Sequence, residues 1–223
     1  MVLTRSFSPA VEDYLKAIYR LQTEIDGPVT TNALGDWLGV TPSSASGMLK
    51  KLDDLRLVTY EPYRGVHLSE AGWLAALRVV RRHRLIELFL AQTLGLSWDR
   101  VHDEAETMEH AMSAGLCEAI AAKLGDPRTD PHGDPIPTSD GRVIETPSVG
   151  LGSLRPGQRS RMVRVSDRDP AVLRLLTGYG VALGDDLRVR DTDPSGAVTV
   201  EVRSGVHWLP AQVVAAIRVQ ADG

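Results

Sequence analysis

Apolar residues recur at helical spacing over residues 8 to 25, where Val11, Tyr14, Leu15, Ile18, Tyr19 and Leu21 share one face and Gly27-Pro28 closes the run. A shorter helix follows, capped by Thr30 or Thr31, with Leu34, Trp37 and Leu38 as its buried side and Gly39 where left-handed backbone is cheap. Thr41-Pro42 sets a capping residue before proline at the first helical position and opens a third helix predicted to run to about Leu55. The segments Leu57-Val58-Thr59-Tyr60 and Val66-His67-Leu68, around Pro62 to Gly65, predict a hairpin. The first segment therefore reads as a winged helix-turn-helix. From Ser69 a long helix is predicted to about Gly95, then two more at about residues 98 to 113 and 114 to 124, with no strand between them.

Residues 126 to 158 hold Pro127, Pro131, Pro135, Pro137, Pro147 and Pro156 with several glycines, which predicts an irregular ordered connection or linker and a boundary. Beyond it the period changes to two. Residues 162 to 165, 187 to 189 and Val198, Val200 and Val202 predict strands, Asp193-Pro194-Ser195-Gly196 a turn and Asp169-Pro170 the start of a short helix. The expected fold is mainly α with a small β domain: a winged helix-turn-helix over 1–72, a second, helical domain over 73–140, and a small SH3-like β-barrel over 141–223.

The chain of 223 residues is 43% apolar and 24% charged, enough for a proper core. Its one cysteine, Cys117, rules out a disulfide framework or thiolate cluster within one chain, and reads as a small buried helix residue. Any metal site must use nitrogen and oxygen. The N-terminus lacks the apolar core of a signal peptide, and the most apolar stretch, residues 85 to 96, is too short for a bilayer, so a cytoplasmic location without membrane contact is expected.

The net charge is −4, and the first 75 residues carry seven bases against nine acids. A nucleic-acid function must then rest on motif geometry rather than on a basic footprint. Thr41, Ser43, Ser44 and Ser46 cluster at the start of the presumed recognition helix, where hydroxyls and helix N-terminal amides can meet phosphates and base edges, or simply cap the helix. Lys50 and Lys51 follow one turn later, and Arg64 stands at the wing tip, placed for phosphate or the minor groove.

The candidate chemistry lies further along. His102, Glu106, Glu109 and His110 are spaced i, i+4, i+7 and i+8, on one face of a helix where leucine is the ordinary occupant. His83 and Glu87, at i and i+4 on the preceding helix, add a second metal-capable pair. Such residues also make solvated helix faces, but six in this spacing favour a metal. Nitrogen and oxygen donors suit Mn²⁺ or Fe²⁺, with Zn²⁺, Co²⁺, Ni²⁺ or Cd²⁺ as substitutes in vitro. His132, in PHGDPIP, reads as a turn residue of the connection. A metalloenzyme is the weaker reading, because no HExxH or paired Glu-x-x-His repeat occurs. A winged-helix regulator answering a non-metal ligand keeps the DNA reading and discards the metal.

The segments VEDYLKAIYRL, LGVTPSSASGMLKKL, RRHRLIELFL, VHDEAETMEH, PHGDPIP and the C-terminal DP-x-VLRLL with GV-x-LGD together resemble the diphtheria toxin repressor family of iron- and manganese-responsive regulators over essentially the whole chain. The resemblance implies a homodimeric repressor binding a palindromic double-stranded DNA operator. It implies a primary metal site of Asp13, Glu106, Glu109 and His110, and an ancillary site of His83, Glu87 and His102. Acids at Asp13 and Glu106, where iron-responsive members carry methionine and cysteine, side with manganese. Lys16, where one manganese subtype has a second glutamate, argues for two separate sites over a binuclear cluster. In the SH3-like domain the ancillary positions fall on Arg164, which cannot ligate, and Asp167; Asp167 or Asp169 is a weak candidate for a further ligand, and the favoured reading of the two is a surface turn acid and a helix cap.

Overall fold

The computed structural model describes residues 7–24 and 27–221. The chain divides into two compact units, Met1–Arg82 with Pro137–Arg142, and His83–Ile136 with Val143–Gly223. The division falls inside one continuous helix, Glu70–Leu94 (α4).

In the first unit, α1 (Pro9–Glu24) buries Val11, Tyr14, Leu15, Ile18, Tyr19 and Leu21, the face read from the spacing. Glu12 on the same helix accepts a hydrogen bond from Arg82 at 2.5 Å. The second helix, α2 (Thr31–Leu38), is capped by the Thr30 hydroxyl, which accepts from the Ala33 amide, and ends at Gly39 in left-handed backbone. The third, α3 (Pro42–Asp54), starts on Thr41, whose hydroxyl accepts from the Ser44 amide with Pro42 just inside. Leu15, Ile18, Leu34, Leu49 and Leu52 are fully buried, each contributing about 1.5–3 kcal/mol of transfer free energy.

A hairpin of β1 (Val58–Glu61) and β2 (Gly65–Leu68) follows, paired antiparallel from Val58↔Leu68 to Glu61↔Gly65 and extended by a bridge between Val29 and Val66. Gly65 is required at its base: its φ is +115°, and a Cβ there would lie 2.7 Å from the Val29 carbonyl oxygen.

In the second unit, α5 (Val101–Met108) and α6 (Ala114–Lys123) pack on the latter half of α4 around Leu85, Ile86, Val101, Ala105, Ala121 and Ile136, with Cys117 buried beside them. The expected helix over 98 to 113 is therefore shorter. Ser113 is the N-cap of α6 and must adopt extended backbone (φ −71°, ψ 153°), so the chain leaves the helical path after Met108. Glu109 sits at the cap position and His110 in the turn beyond.

Of the two readings of the proline-rich stretch, an irregular ordered connection or a linker, residues 130 to 136 answer to the first. Asp130, His132, Asp134 and Ile136 are buried. Asp130 Oδ1 accepts from the amides of His132 and Asp134 at 2.8 and 2.9 Å, and Arg84 donates to the Pro135 carbonyl at 2.5 Å. At Gly133, with φ +86°, a Cβ would lie 2.1 Å from the Val163 carbonyl oxygen, so this loop is pressed against a strand.

The remaining chain folds into β3 (Val149–Gly150), a 3₁₀ turn, β4 (Arg159–Val165), α7 (Pro170–Gly178), β5 (Asp186–Thr192), β6 (Val198–Val202), β7 (Gly205–Leu209), α8 (Ala211–Ala216) and β8 (Ile217–Ala221). These strands form one six-stranded sheet, ordered β3-β8-β4-β5-β6-β7 and antiparallel throughout. Alternation on β6 buries Val198, Val200 and Val202 against Met162, Leu173, Leu176 and Val219. Trp98 packs on this core and donates its indole N–H to the Thr177 hydroxyl at 2.8 Å, joining the helical and β parts of the unit. Among the described residues no helix is long and apolar enough to cross a membrane.

Candidate metal centre

The i, i+4 pair on α4 and the start of α5 converge inside the second unit. His83 Nε2 lies 3.1 Å from Glu87 Oε1 and 3.2 Å from His102 Nδ1. His102 Nδ1 lies 3.3 Å from Glu87 Oε1 and 3.2 Å from Asp167 Oδ2, which arrives from the loop after β4. Glu87 is completely buried, and His83 and Asp167 nearly so.

Burial alone would depress the His102 imidazole, but hydrogen bonds and charge from Asp167 and Glu87 push its pKa up to about 10. Burial would raise Glu87, yet the charge of His83 and hydrogen bonds from His102 and His83 hold its carboxyl far below the ordinary range. Two imidazoles and two carboxylates thus share one largely buried pocket, where the carboxylates need positive charge to coexist.

These four donor atoms lie within 4.8 Å of one another. Ligands held about 2.1 Å from a common cation are about 3.0–3.5 Å apart between right-angle and tetrahedral geometry, which matches the 3.1–3.3 Å contacts. Glu87 Oε2 is in addition buried without a hydrogen-bond partner. The residues fit a divalent cation.

His83 reaches a second group with its other nitrogen. Its Nδ1 is 2.7 Å from Glu109 Oε2 and 3.8 Å from Glu106 Oε1. A proton on Nδ1 donated to Glu109 leaves Nε2 as a lone pair facing Glu87 and His102, an arrangement in which a carboxylate fixes the tautomer of a ligating histidine. His110, half-buried, has Nε2 3.6 Å from Glu109 Oε1. Asp13 stands half-buried on α1 in the first unit, with Lys16 one turn on.

Two further residues stand beside Glu87: His132, which the sequence reading made a turn residue, and Asp130, which it did not single out. His132, fully buried, has Nδ1 3.9 Å from Glu87 Oε1 and no hydrogen-bond partner for that atom, while its Nε2 meets the Trp98 carbonyl at 2.7 Å. Asp130 is buried, and burial with the neighbouring Asp134 and Glu87 charges raises its pKa to about 7. The only sequence signal for either was the clustering of Asp, His and Asp among prolines. Asp167 is no surface turn acid, whereas Asp169 is the cap of α7, accepting from the Ala171 amide at 2.9 Å. Arg164 pairs with Asp134, which also lies 3.4 Å from Arg84.

At the exposed start of α3, Thr41 Oγ1 lies 2.9 Å from Ser43 Oγ and 3.0 Å from Ser44 Oγ, a hydroxyl cluster beside helix N-terminal amides. Ser46 lies half-buried on the same helix, and the Ser46 and Thr31 hydroxyls with the Lys50 charge hold the Tyr60 phenol below its ordinary pKa. Lys50 is exposed. Arg64 extends from the wing with its guanidinium 3.2 Å from Glu61.

Three family models match the chain: the iron-dependent repressor N-terminal DNA-binding domain over residues 6–66, the iron-dependent repressor metal-binding and dimerisation domain over 69–138, and the FeoA domain over 149–221. The chain is 31% identical over 204 residues to the iron-dependent repressor IdeR of Mycobacterium tuberculosis, covering 87% of this chain and 84% of that protein. It is 35% identical over 144 residues to the transcriptional regulator MntR of Oceanobacillus iheyensis, covering 62% of this chain and 97% of that one. A solved manganese-dependent transcriptional repressor in complex with manganese superposes with a TM-score of 0.89 at 42% identity, over 95% of this chain and 100% of the other. These relatives are regulators rather than enzymes, and the chain belongs to the diphtheria toxin repressor family of metal-dependent, DNA-binding transcriptional repressors.

Proposed function

We propose that this repressor responds to Mn²⁺, with Fe²⁺ as the alternative effector, and controls metal-ion homeostasis from the cytoplasm by binding a palindromic operator as a homodimer. The observation that carries the reading is the buried cluster of His83, Glu87, His102 and Asp167, donors without sulfur at ligand-to-ligand spacing. Acids at Asp13 and Glu106 and the likeness to a manganese-dependent repressor support manganese over iron. A bound divalent cation supplies charge compensation and a fixed geometry for its donors.

We assign His83, Glu87 and His102, with Asp167, to an ancillary site, and Asp13, Glu106, Glu109 and His110 to the primary one. Asp13 enters that set through its place in the family sequence alone. Thr41, Ser43, Ser44 and Ser46 present hydroxyls, and Lys50 and Arg64 charge, to DNA. The boundaries 1–72, 73–140 and 141–223 remain the working division of the chain.

A hundredfold change in DNA affinity requires only about 2.7 kcal/mol of differential binding, a modest demand on a four-donor site. Calorimetric titration of chelator-stripped protein with Mn²⁺, followed by a DNA mobility-shift assay with and without Mn²⁺, tests the proposal. Asp13→Ala should abolish metal-dependent DNA binding and leave the dimer intact in sedimentation. A variant that keeps its full metal response removes Asp13 from the switch.

A further inference from the structure

The tip of the wing carries a residue that its own fold does not use. Glu61, Pro62, Tyr63 and Arg64 make a tight turn closed by the Arg64 amide donating to the Glu61 carbonyl at 3.0 Å. Proline stands second and Tyr63 third, with φ +68°. That combination is a type II turn, whose third position calls for glycine or asparagine because a Cβ crowds the backbone at positive φ. Tyrosine is held there against its steric preference.

Packing does not repay it. Tyr63 is 107% exposed, the most exposed of the large apolar side chains, so the ring buries nothing in its own chain. The turn beneath it is fixed: β1 and β2 pair through four register positions, Val29 bridges to Val66, and Gly65 presses on the Val29 carbonyl. A strained, solvent-facing aromatic on a rigid hairpin next to the recognition helix is placed for something outside the chain. Electrostatics narrows what it does. The neighbouring Arg64 is already paired with Glu61, and the first 75 residues carry more acids than bases, so positive charge for phosphates is scarce at this tip.

We infer that Tyr63 is a non-ionic DNA contact, its ring lying against the deoxyribose and groove wall beside the segment met by α3. The contact adds affinity without neutralising a phosphate, beside the ionic contact that Arg64 offers from the same turn. This inference rests on the DNA-binding function of the family.

The test uses the full-length protein with Mn²⁺ and a duplex enriched by the wild type from a randomised library. Tyr63→Gly and Tyr63→Asn both relieve the backbone. Each is expected to bind about tenfold more weakly at every salt concentration, with an unchanged slope of log affinity against log salt. Each should also keep a thermal midpoint at or above that of the wild type. A structural residue would lower the midpoint, and a phosphate contact would lower the slope by about one. Wild-type affinity in either variant overturns the inference, as does a loss accompanied by a shallower slope or a lower midpoint. Absence of any wild-type binding overturns the DNA-binding reading and the inference with it.

Discussion

At the start of α3 the side chains of Thr41, Ser43 and Ser44 are neutral and open to solvent, whereas on α4, α5 and the 130–134 loop Glu87, Glu109, His132 and Arg84 are charged or titratable and almost wholly buried. The first group does little for the fold beyond capping a helix, so its residues are free to be chosen for an outside partner. The second places ions where water cannot compensate them, so each depends on its neighbours and the set responds to protons, cations and single substitutions. Recognition and response are thus separated by solvent exposure. The contrast can be broken by measurement.

The largest effect should come from Arg84, a residue 4% exposed whose guanidinium stands 3.6 Å from Asp130, 3.4 Å from Asp134 and 2.5 Å from the Pro135 carbonyl. Arg84→Ala leaves the buried carboxylates of Asp130 and Asp134 without that charge. A loss of about 3–5 kcal/mol in chemical denaturation of chelator-treated protein is expected. A loss below about 1 kcal/mol would show that the buried cluster is no more demanding than the exposed one.

Next in size is the response to pH. His102 is raised, so the stability from its protonated form is complete below its ordinary pKa of 6.5 and lost as pH rises through about 10. Glu87 is lowered, so its contribution is present above its ordinary 4.5 and lost as pH falls through the depressed value. Metal-free protein should hold a plateau of stability between these limits in thermal melts. Because a ligating His102 must give up its proton, apparent Mn²⁺ affinity should rise about tenfold per pH unit between about 6.5 and 10, with proton release seen as buffer-dependent binding enthalpy. Affinity that does not change with pH would remove His102 from the ligand set.

The same contrast explains what the sequence made legible. The winged helix-turn-helix could be read almost residue by residue, because caps at Thr30 and Thr41, Pro42 inside α3 and the apolar face of α1 are local signals. The pairing of His83 with Glu87 was visible for the same reason. The limits of α5 were not, since Ser113 ends the helical path by capping the next helix. Nor was the role of residues 130 to 136: proline and glycine mark a loop locally, while its burial depends on Arg84, some fifty residues earlier in the chain, and on β4 pressed against Gly133. Strands β7 and β8 also went unread, because a five-residue edge strand with Val206 and Trp208 exposed, and a strand directly after α8, lack clean alternation with flanking turns. Asp167 was a weak candidate in the sequence, and the fold of the β domain brings it 3.2 Å from His102.

The smallest effect separates capping from recognition within the exposed group itself. Thr41 accepts the Ser44 amide at 3.2 Å and so has a structural task, whereas the Ser43 hydroxyl meets only the Thr41 hydroxyl among the described contacts. Thr41→Ala should therefore cost about 1 kcal/mol of stability, restored by Thr41→Ser, whose hydroxyl caps equally well. Ser43→Ala should change the thermal midpoint little, because an exposed hydroxyl lost from a helix start leaves no buried group unsatisfied. If the cluster faces DNA, Ser43→Ala should still weaken operator binding by several fold, the scale of one neutral hydrogen bond to a phosphate or base edge. Equal binding by Ser43→Ala and the wild type would reduce the hydroxyl cluster to a helix cap and leave Lys50 and the helix amides to make the contact.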